Sequence, residues 1–457
     1  MKGIAIGFSD TSKEILKRLK KTEFINEIFI GSSSHKDKKI KDSVKFVKPR
    51  QILREKWEKL ELIIFVGSVG ASIRLINSLL SSKDKDPGVI VIDKKGSKII
   101  PIIGAHQSNI QNIAFQICNL FGGEIIETNN SIDQNYLNID SFGNQWGWKR
   151  SGDIKDWSKL VIKQSNKKEI FCSQLSGNNL WKTSEVGNTI TQLSDKDYEQ
   201  KKSIFHISIF DNHKNTWHPP TLWIGLGCER NTSKELIEDS LQSFLATNNL
   251  SPLSIAGFAT VDLKKDEKAI LEISKEKNLP IKFFTSEELS SINTPNPSNV
   301  VLNEIGTPSV AEAACMIAAG QGSKLLKEKK IFKSIDSSKS TFGAVTIAVS
   351  ESKNQYSPLT GEIHVVGSGP GDISYLTNDA RKALSKCSIW IGYKMYLDLI
   401  KPLKRKDQVM IESNLTEEKE RCEKAIKLAE EGIKVALISS GDAGFYGMAG
   451  LLLELIQ

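Results

Sequence analysis

A strand that runs directly into a cluster of glycines brings backbone close to a ligand, and residues 361–377, GEIHVVGSGPGDISYLT, have that form. Residues 363–366 read as a short apolar strand, Gly367, Gly369 and Gly371 as a turn, and a helix is expected from about Thr377. Glycine tolerates φ > 0 and carries no side chain, so such a loop presents backbone N–H groups to a bound group. A dinucleotide fingerprint, G-x-G-x-x-G, needs glycine at position 372, where this chain has Asp372. Pro370 removes an N–H where a pyrophosphate needs one. No acidic residue follows at the usual distance, which further disfavours an NAD-dependent oxidoreductase. The loop points to a ligand other than NAD, and a longer, differently patterned region precedes it.

The 457 residues suffice for two to four domains. A 39% hydrophobic and 25% charged composition supports globular cores rather than wholesale disorder. The net charge of +8 comes from lysines spread along the chain, so it reads as a solvated basic surface with a weak pull on anionic partners. Six cysteines occur without a C-x-x-C pair, which argues against a disulfide framework or a zinc site and fits a reducing cytosol. The start, MKGIAIGFSD, opens a strand and has no apolar leader core. No apolar run approaches the roughly 20 residues that span a bilayer. The expectation is a cytoplasmic protein with a small-molecule ligand, no bound metal, and no nucleic-acid or membrane partner.

The fold class expected is α/β, with several doubly wound domains. Residues 1–133 form the first. Their strand at 62–66 leads into GSVGASIRLINSLL, where Arg74 lies a turn into a helix and is placed to meet an anion. DPGVIVID supplies a turn and a strand, and PIIGAHQSNIQ places His106 on a loop; the alternation implies a parallel sheet with loops at the strand C-ends. Residues 134–215 are a tryptophan-rich middle region. Trp146, Trp148, Trp157 and Trp181 either fill the core of a small β unit or offer faces to a planar macrocycle. Residues 216–350 are a second α/β block, with LWIGLGCERNTSKEL and IAGFATVDLKKDE as strand–loop–helix units and two closing strands. Thr232 or Ser233 is the expected N-cap. Residues 351–360 read as a polar linker. Residues 361–457 begin a last α/β domain whose second glycine loop is SSGDAGFYGMAG, and the expectation is that this domain is truncated.

Three motifs in order, GSGPGDISYLT, GYKMY and SSGDAGFYGMAG, resemble the tetrapyrrole methylases, and precorrin-3B C(17)-methyltransferase in particular. The resemblance implies an S-adenosylmethionine and corrinoid cleft between two α/β domains, of which this is the N-terminal half. It implies that Gly367, Gly369, Pro370 and Gly371 shape its floor. Gly441, Asp442, Gly444, Tyr446, Gly447 and Met448 would carry the cofactor loop, and Tyr393 would meet substrate. Ala443 stands where the family commonly has proline. Methyl transfer to an electron-rich carbon needs binding, orientation and exclusion of water more than a strong base. A homodimer through this domain is one assembly the resemblance allows. With half of a cleft, weak or absent S-adenosylmethionine binding is expected.

Residues 1–350 resemble the cobalt-precorrin-5A hydrolases. GSVGASIRLINSLL, DPGVIVID, LWIGLGCERNTS, ATVDLKKDE and PNPSNVVLNEIGTPSVAEAAC carry the likeness. It implies opening of a δ-lactone on a cobalt-corrinoid with loss of acetaldehyde. Lys264, Glu267 and His106 are the implied catalytic residues, with Lys264 polarising the lactone carbonyl and Glu267 activating water. Arg74, Gly225, Gly227, Thr260, Asn296 and Ser298 are implied substrate contacts, with Asp93, Cys228, Thr232, Ser309 and Glu312 nearby in the motifs. After His106 the run Gln107, Ser108, Asn109, Ile110, Gln111 replaces the family's G-G-A-N. The combined reading is a two-enzyme fusion for corrin-ring construction. The alternative, from a different class, is a non-catalytic corrinoid-binding or channelling protein.

Overall fold

Buried apolar runs set the strands of the N-terminal unit, residues 1–130. The computed structural model describes residues 2–31, 45–81, 86–104, 108–126, 136–193, 203–334, 341–444 and 447–456. In order, the unit contains β1 (Gly3–Gly7), α1 (Lys13–Lys20), β2 (Glu27–Gly31), β3 (Lys45–Val47), α2 (Pro49–Lys56), β4 (Leu62–Val66), α3 (Val69–Ile76), β5 (Gly88–Ile92), β6 (Lys98–Ile103), α4 (Ser108–Phe121) and β7 (Glu124–Ile125). The sheet runs β3-β2-β1-β4-β5-β6-β7. β1, β4 and β5 are buried along their whole length, as central parallel strands must be. One pairing departs from the parallel expectation: β6 returns antiparallel to β5. The cause is Asp93. Its carboxylate accepts hydrogen bonds from Ser97 N (2.6 Å), Ser97 Oγ (2.7 Å) and Lys98 N (3.0 Å), which closes a tight reversal. Burial raises the Asp93 pKa, but these hydrogen bonds outweigh it and hold the pKa below the usual value.

Residues 131–457 form the second unit, built on three sheets. The tryptophan-rich region contributes β8 (Lys149–Ser151), α5 (Ile154–Ser165), β9 (Phe171–Gln174), β10 (Thr191–Gln192), β11 (Ile204–Ile207) and β12 (Thr216–His218), ordered β10-β9-β11-β12-β8. Trp146, Trp148, Trp157 and Trp181 are all buried, and Phe142 has the rings of Trp148, Trp181 and Trp217 at 5.1–5.8 Å. Of the two readings of these tryptophans, the structure selects core filling. The polar run 194–202, whose sequence reads as a loop, lies outside the described residues.

The next sheet comprises β13 (Leu222–Cys228), α6 (Lys234–Thr247), β14 (Ile255–Val261), α7 (Lys268–Lys277), β15 (Ile281–Phe284), α8 (Ser286–Ser290), α9 (Asn299–Ile305), α10 (Ala311–Ala319), β16 (Lys324–Lys333) and β17 (Ala344–Glu351). Its order is β15-β14-β13-β17-β16; β13, β14 and β15 are parallel, while β17 runs against β13 and pairs with β16. The last sheet comprises β18 (Glu362–Gly367), α11 (Asn378–Lys386), β19 (Ile389–Tyr393), α12 (Lys394–Ile400), β20 (Val409–Ser413), α13 (Glu418–Glu430), β21 (Lys434–Ser439) and α14 (Ala449–Ile456). It is wholly parallel, in the order β18-β21-β19-β20.

The tryptophan-rich region and the last sheet share one hydrophobic core, in which Trp146, Trp148 and Trp181 join Ile389, Val435, Leu437 and Leu452. Polar ties reinforce it: Ser388 Oγ donates to Gln145 O (3.0 Å), and Asn178 Nδ2 to Glu431 Oε2 (2.8 Å). The segment read as a linker passes between them with Gln355 buried. Its Nε2 donates to Trp146 O (2.5 Å) and Glu431 O (2.7 Å), and its Oε1 accepts from Trp148 Nε1 (2.7 Å) and Asn178 N (3.3 Å). These four bonds make the segment a packed strap rather than a loose tether.

Glu362 anchors the start of β18. Its carboxylate accepts from His364 Nε2 (2.8 Å), Lys386 Nζ (2.6 Å) and Lys434 Nζ (2.8 Å). The His364 hydrogen bond first, then those from the two lysines, hold its pKa far below the usual carboxylate value against the opposing effect of burial. A depressed folded-state pKa stabilises the protein above the unfolded value and loses that effect as pH falls. The melting temperature of Glu362→Gln is therefore expected below that of the parent at neutral pH, with the gap closing as pH drops below about 4.5. Paired thermal melts across pH 3–7 check this.

Candidate functional site

The C-terminal ends of β13 and β14 carry a buried charged cluster. Lys264, in the turn after β14, and Glu267, the N-cap of α7, are both buried, with Lys264 Nζ 3.3 Å from Glu267 Oε2. Their i,i+3 spacing at the entry of a helix puts them on one side of the chain. Asn231 N donates to Glu267 Oε1 (3.1 Å), and Arg230 Nη1 lies 4.0 Å from Oε2. Arg230 is itself fixed by Asp266 (2.6 Å) and the Leu263 carbonyl (2.7 Å). The carboxylate is thus held between two cations and a backbone amide. Cys228 ends β13 beside this pair. Burial pushes its thiol up to about 11, against the opposing field of Lys264, so it is a poor thiolate nucleophile at neutral pH.

Other residues expected here divide between architecture and open surface. Thr260 Oγ1 donates to Leu226 O (2.6 Å) and Ser298 caps α9, so both hydroxyls serve the fold. Gly225 is needed for close approach, since a Cβ there would collide with the Ala311 carbonyl of α10. Gly225→Ala is expected to push α10 off β13 and cost about 1–3 kcal/mol, read as a lower urea midpoint. Gly227 is roomier and faces Val310. Asn296 joins a second cluster: its Nδ2 donates to Glu312 Oε1 (2.9 Å) and Glu328 Oε2 (2.9 Å), and Ser309 Oγ lies 3.5 Å from Glu312 Oε2. Thr232 Oγ1 donates to Glu229 O (2.9 Å), and the N-cap of α6 is Ser233. Arg230, Asn231 and Glu328 were not foreseen; the positive φ of Asn231, 59°, was hinted at only by its residue type.

In the N-terminal unit, α1 and α3 pack on opposite faces of adjacent β1 and β4. Connections that leave neighbouring strands to opposite faces open a crevice at the strand ends, a common ligand position. Ser68 caps α3 there, and Arg74 is exposed, with Nη1 over Gly70. Asp93 spends its acceptors in its own turn. His106 lies outside the described residues.

The same logic governs the last sheet. α11 packs on one face and α14 on the other, while their preceding strands β18 and β21 are neighbours. The two glycine loops therefore meet at the switch point. Gly369 N donates to Gly441 O (3.1 Å), and Gly369, Gly371 and Gly441 have φ of 64°, 108° and 56°. A Cβ on Gly367 would strike the Gly441 carbonyl, so glycine lets the loops touch. Asp442 Oδ1 accepts from Gly444 N (2.7 Å). Pro370 lies between the two positive-φ glycines of the first loop. Gly447 packs on the Ala443 backbone, Met448 is buried in the core, and Tyr393 stands at the end of β19 against Tyr396. Ser439 Oγ, at the end of β21, is buried without a hydrogen-bond partner among the described residues. Tyr446 lies outside the described residues.

Three family models match in succession: Cobalamin synthesis G N-terminal over residues 51–131, Cobalamin synthesis G C-terminus over 222–350, and Tetrapyrrole (Corrin/Porphyrin) Methylases over 362–457. The chain is a fusion of a cobalamin-synthesis G region with a tetrapyrrole methylase region. The first is similar to the cobalt-precorrin-5A hydrolase of Priestia megaterium, 28% identical over 62% of this chain and 79% of that protein. The second is similar to the cobalt-factor III C(17)-methyltransferase of Salmonella typhimurium, 50% identical over 21% of this chain. The fusion spans only 39% of that methyltransferase's length. Among solved structures, a cobalamin biosynthesis protein G homologue from Sulfolobus solfataricus is similar at 20% identity over 76% of this chain and 96% of its own, with a TM-score of 0.25. Among the described residues no helix is long and apolar enough to cross a membrane.

Proposed function

We propose that the cobalamin-synthesis G region of this fusion opens the δ-lactone of cobalt-precorrin-5A with release of acetaldehyde. The buried Lys264–Glu267 pair at the ends of β13 and β14 carries this reading. In the step proposed, Lys264 Nζ polarises the lactone carbonyl while water attacks its carbon. Glu267 takes the water proton, and the ring C–O bond breaks to leave a carboxylic acid and an alkoxide; the alkoxide collapses to an aldehyde C=O as its C–C bond to the macrocycle breaks, which frees acetaldehyde and leaves the electron pair on the ring carbon, where the proton held by Glu267 is returned. His106 is a further residue proposed as catalytic. Arg74 in the N-terminal unit and Gly227 and Asn296 in the second unit are proposed substrate contacts, whereas Gly225, Thr260 and Ser298 act through packing and capping. The net charge of +8 suits a polycarboxylate macrocycle. Purified Lys264→Ala and Glu267→Gln are expected to open the lactone at least about a hundredfold more slowly than the parent, and parent-like rates would defeat the assignment.

For the methylase region we infer a part in S-adenosylmethionine-dependent methylation of precorrin-3B or its cobalt form at C-17, with ring contraction. Two observations fit this cofactor: the glycine cradle at Gly367 and Gly441, and the orphaned Ser439 hydroxyl beside it. S-adenosylmethionine supplies an electrophilic methyl group when bound. The protein's own task is to admit backbone to the cofactor at Gly367, Gly369, Gly371 and Gly441, and to orient the macrocycle through Tyr393. A homodimer through this region and a cytoplasmic location belong to the same reading; light scattering measures the first. One observation favours the rival binding or channelling role: both oxygens of Glu267 are already engaged by protein donors. A single-turnover assay separates the two, since label from methyl-S-adenosylmethionine and acetaldehyde release appear only with an enzyme.

A further inference from the structure

The tryptophan-rich region lies between the stretches that the two cobalamin-synthesis G models match, and it holds a serine–histidine pair that neither proposed reaction uses. Ser151 Oγ stands 2.7 Å from His218 Nε2. β8 and β12 are antiparallel, with Ser151 opposite Thr216 and Lys149 opposite His218. Residues paired across a ladder share a face, so these four side chains project from one side, opposite to Trp217 and the tryptophan core. The second ring nitrogen decides which partner gives the proton. His218 Nδ1 is 2.8 Å from the Ser208 carbonyl, and a carbonyl only accepts, so Nδ1 carries the hydrogen. In the neutral ring Nε2 is then an acceptor, and Ser151 Oγ donates to it. Burial favours that neutral ring, lowering the His218 pKa against the Ser208 hydrogen bond and the field of Asp211. Ser208 is itself fixed, since its N donates to Trp217 O (2.9 Å) and its Oγ accepts from Phe210 N (3.0 Å). His218 is wholly buried, while Ser151 keeps part of its surface in solvent. A reachable hydroxyl, a base within hydrogen-bond distance and a group that orients the base are the parts of nucleophilic catalysis.

The backbone around Ser151 suits the same chemistry. Ser151 is the last residue of β8, Gly152 turns the chain with φ of 100°, and α5 begins at Ile154 after its cap, Asp153. A Cβ on Gly152 would lie 2.8 Å from Asn215 N, so glycine is what permits this turn. A serine on a sharp strand-to-helix turn holds its oxygen clear of the sheet, with the positive end of the helix dipole near the position of an oxyanion. Lys149 is exposed on the same face and makes no ion pair among the described residues. We propose that Ser151 and His218 form an acyl-transfer centre for carboxylic esters that carry an additional anionic group, which Lys149 receives. Ser151 Oγ attacks the ester carbonyl carbon as its proton passes to His218 Nε2. The ester C–O bond breaks, and that proton goes to the departing alkoxide. Water then gives a proton to Nε2 and its oxygen attacks the acyl-serine carbon; the C–Oγ bond breaks, the proton returns to Oγ, and the acid leaves. This centre is separate from Lys264 and Glu267, which belong to the next sheet.

The test treats the whole 457-residue chain with a fluorophosphonate probe, which reacts covalently with activated serines, and locates the label by peptide mass spectrometry. The label is expected on Ser151. Ser151→Ala is expected to lose it, and His218→Gln to take it up about a hundredfold more slowly. Ser158→Ala, which removes a hydroxyl that bonds back to Ile154 O within α5, is expected to label as the parent does. Steady-state hydrolysis of phenyl acetate and of 4-acetoxybenzoate reads the substrate class. Lys149→Gln is expected to raise KM for the charged ester about fivefold, with kcat and the KM for phenyl acetate unchanged. A hydrogen bond that only pins β8 to β12 leaves Ser151 of the parent unlabelled, and that result overturns the proposal whether or not the variants fold. Labelling that persists in Ser151→Ala overturns it as well. An unchanged KM for 4-acetoxybenzoate in Lys149→Gln overturns the anionic substrate class, while a label on Ser151 sustains the acyl-transfer centre.

Discussion

Gln355→Ala is expected to destabilise the 131–457 unit by about 3–5 kcal/mol, one of the largest effects available to a single uncharged residue here. The amide meets four buried groups: the carbonyls of Trp146 and Glu431, the Trp148 indole N–H and the Asn178 N–H. Truncation leaves each without its partner, and a buried unsatisfied donor or acceptor costs about 1–3 kcal/mol. Water entering the new space recovers part of that, which sets the range below the sum. Two further variants separate hydrogen bonding from volume. Gln355→Met fills the space without polar groups, so it is expected to match alanine closely. Gln355→Glu keeps the shape but turns an acceptor toward two carbonyls, and is expected to be at least as damaging. Urea unfolding followed by tryptophan fluorescence reads all three, because Trp146 and Trp148 flank the site. A loss below about 1 kcal/mol for every variant would show that the strap is not held by this amide.

The strap also shows where sequence reasoning stops. Gln355 sits in SESKNQYSP, a run with no apolar period, and nothing local distinguishes the one buried glutamine from its exposed neighbours. Its role comes from residues some two hundred positions away, in a region whose strands are two to four residues long. Strands that short carry too little alternation to read. By contrast β4 and β5 are uninterrupted apolar runs rich in β-branched residues, and the sequence predicts their spans to within a residue. α2 is missed because its stretch is so charged, although Pro49 at its first turn is a legible start signal. The turns of the two glycine loops were legible because glycine readily takes their positive φ values and leaves room for their mutual contact. Ser439 was not, since an orphaned hydroxyl is a property of the folded surroundings alone.

A double-mutant cycle on Lys264 and Glu267 is expected to give the second large effect and to bear directly on function. Lys264→Met leaves Glu267 as a buried carboxylate, and Glu267→Gln leaves Lys264 as a buried ammonium. Breaking a buried pair on one side costs about 3–5 kcal/mol, because the remaining charge stays desolvated. Glu267 keeps the Asn231 N–H and a distant Arg230, which places Lys264→Met at the low end of that range. Lys264 keeps on its carboxylate side only the field of the exposed Asp266 among the described residues, so Glu267→Gln belongs nearer the top. The Lys264→Met/Glu267→Gln double variant removes both charges and is expected to be more stable than the sum of the singles by about 2–3 kcal/mol. Chemical denaturation of the four proteins measures that coupling. Activity then separates the two roles of the pair. A purely structural pair predicts that the double variant recovers lactone opening along with stability. A catalytic pair predicts a well-folded double variant that opens the lactone no faster than either single, because no ammonium remains to polarise the carbonyl and no carboxylate to take the proton.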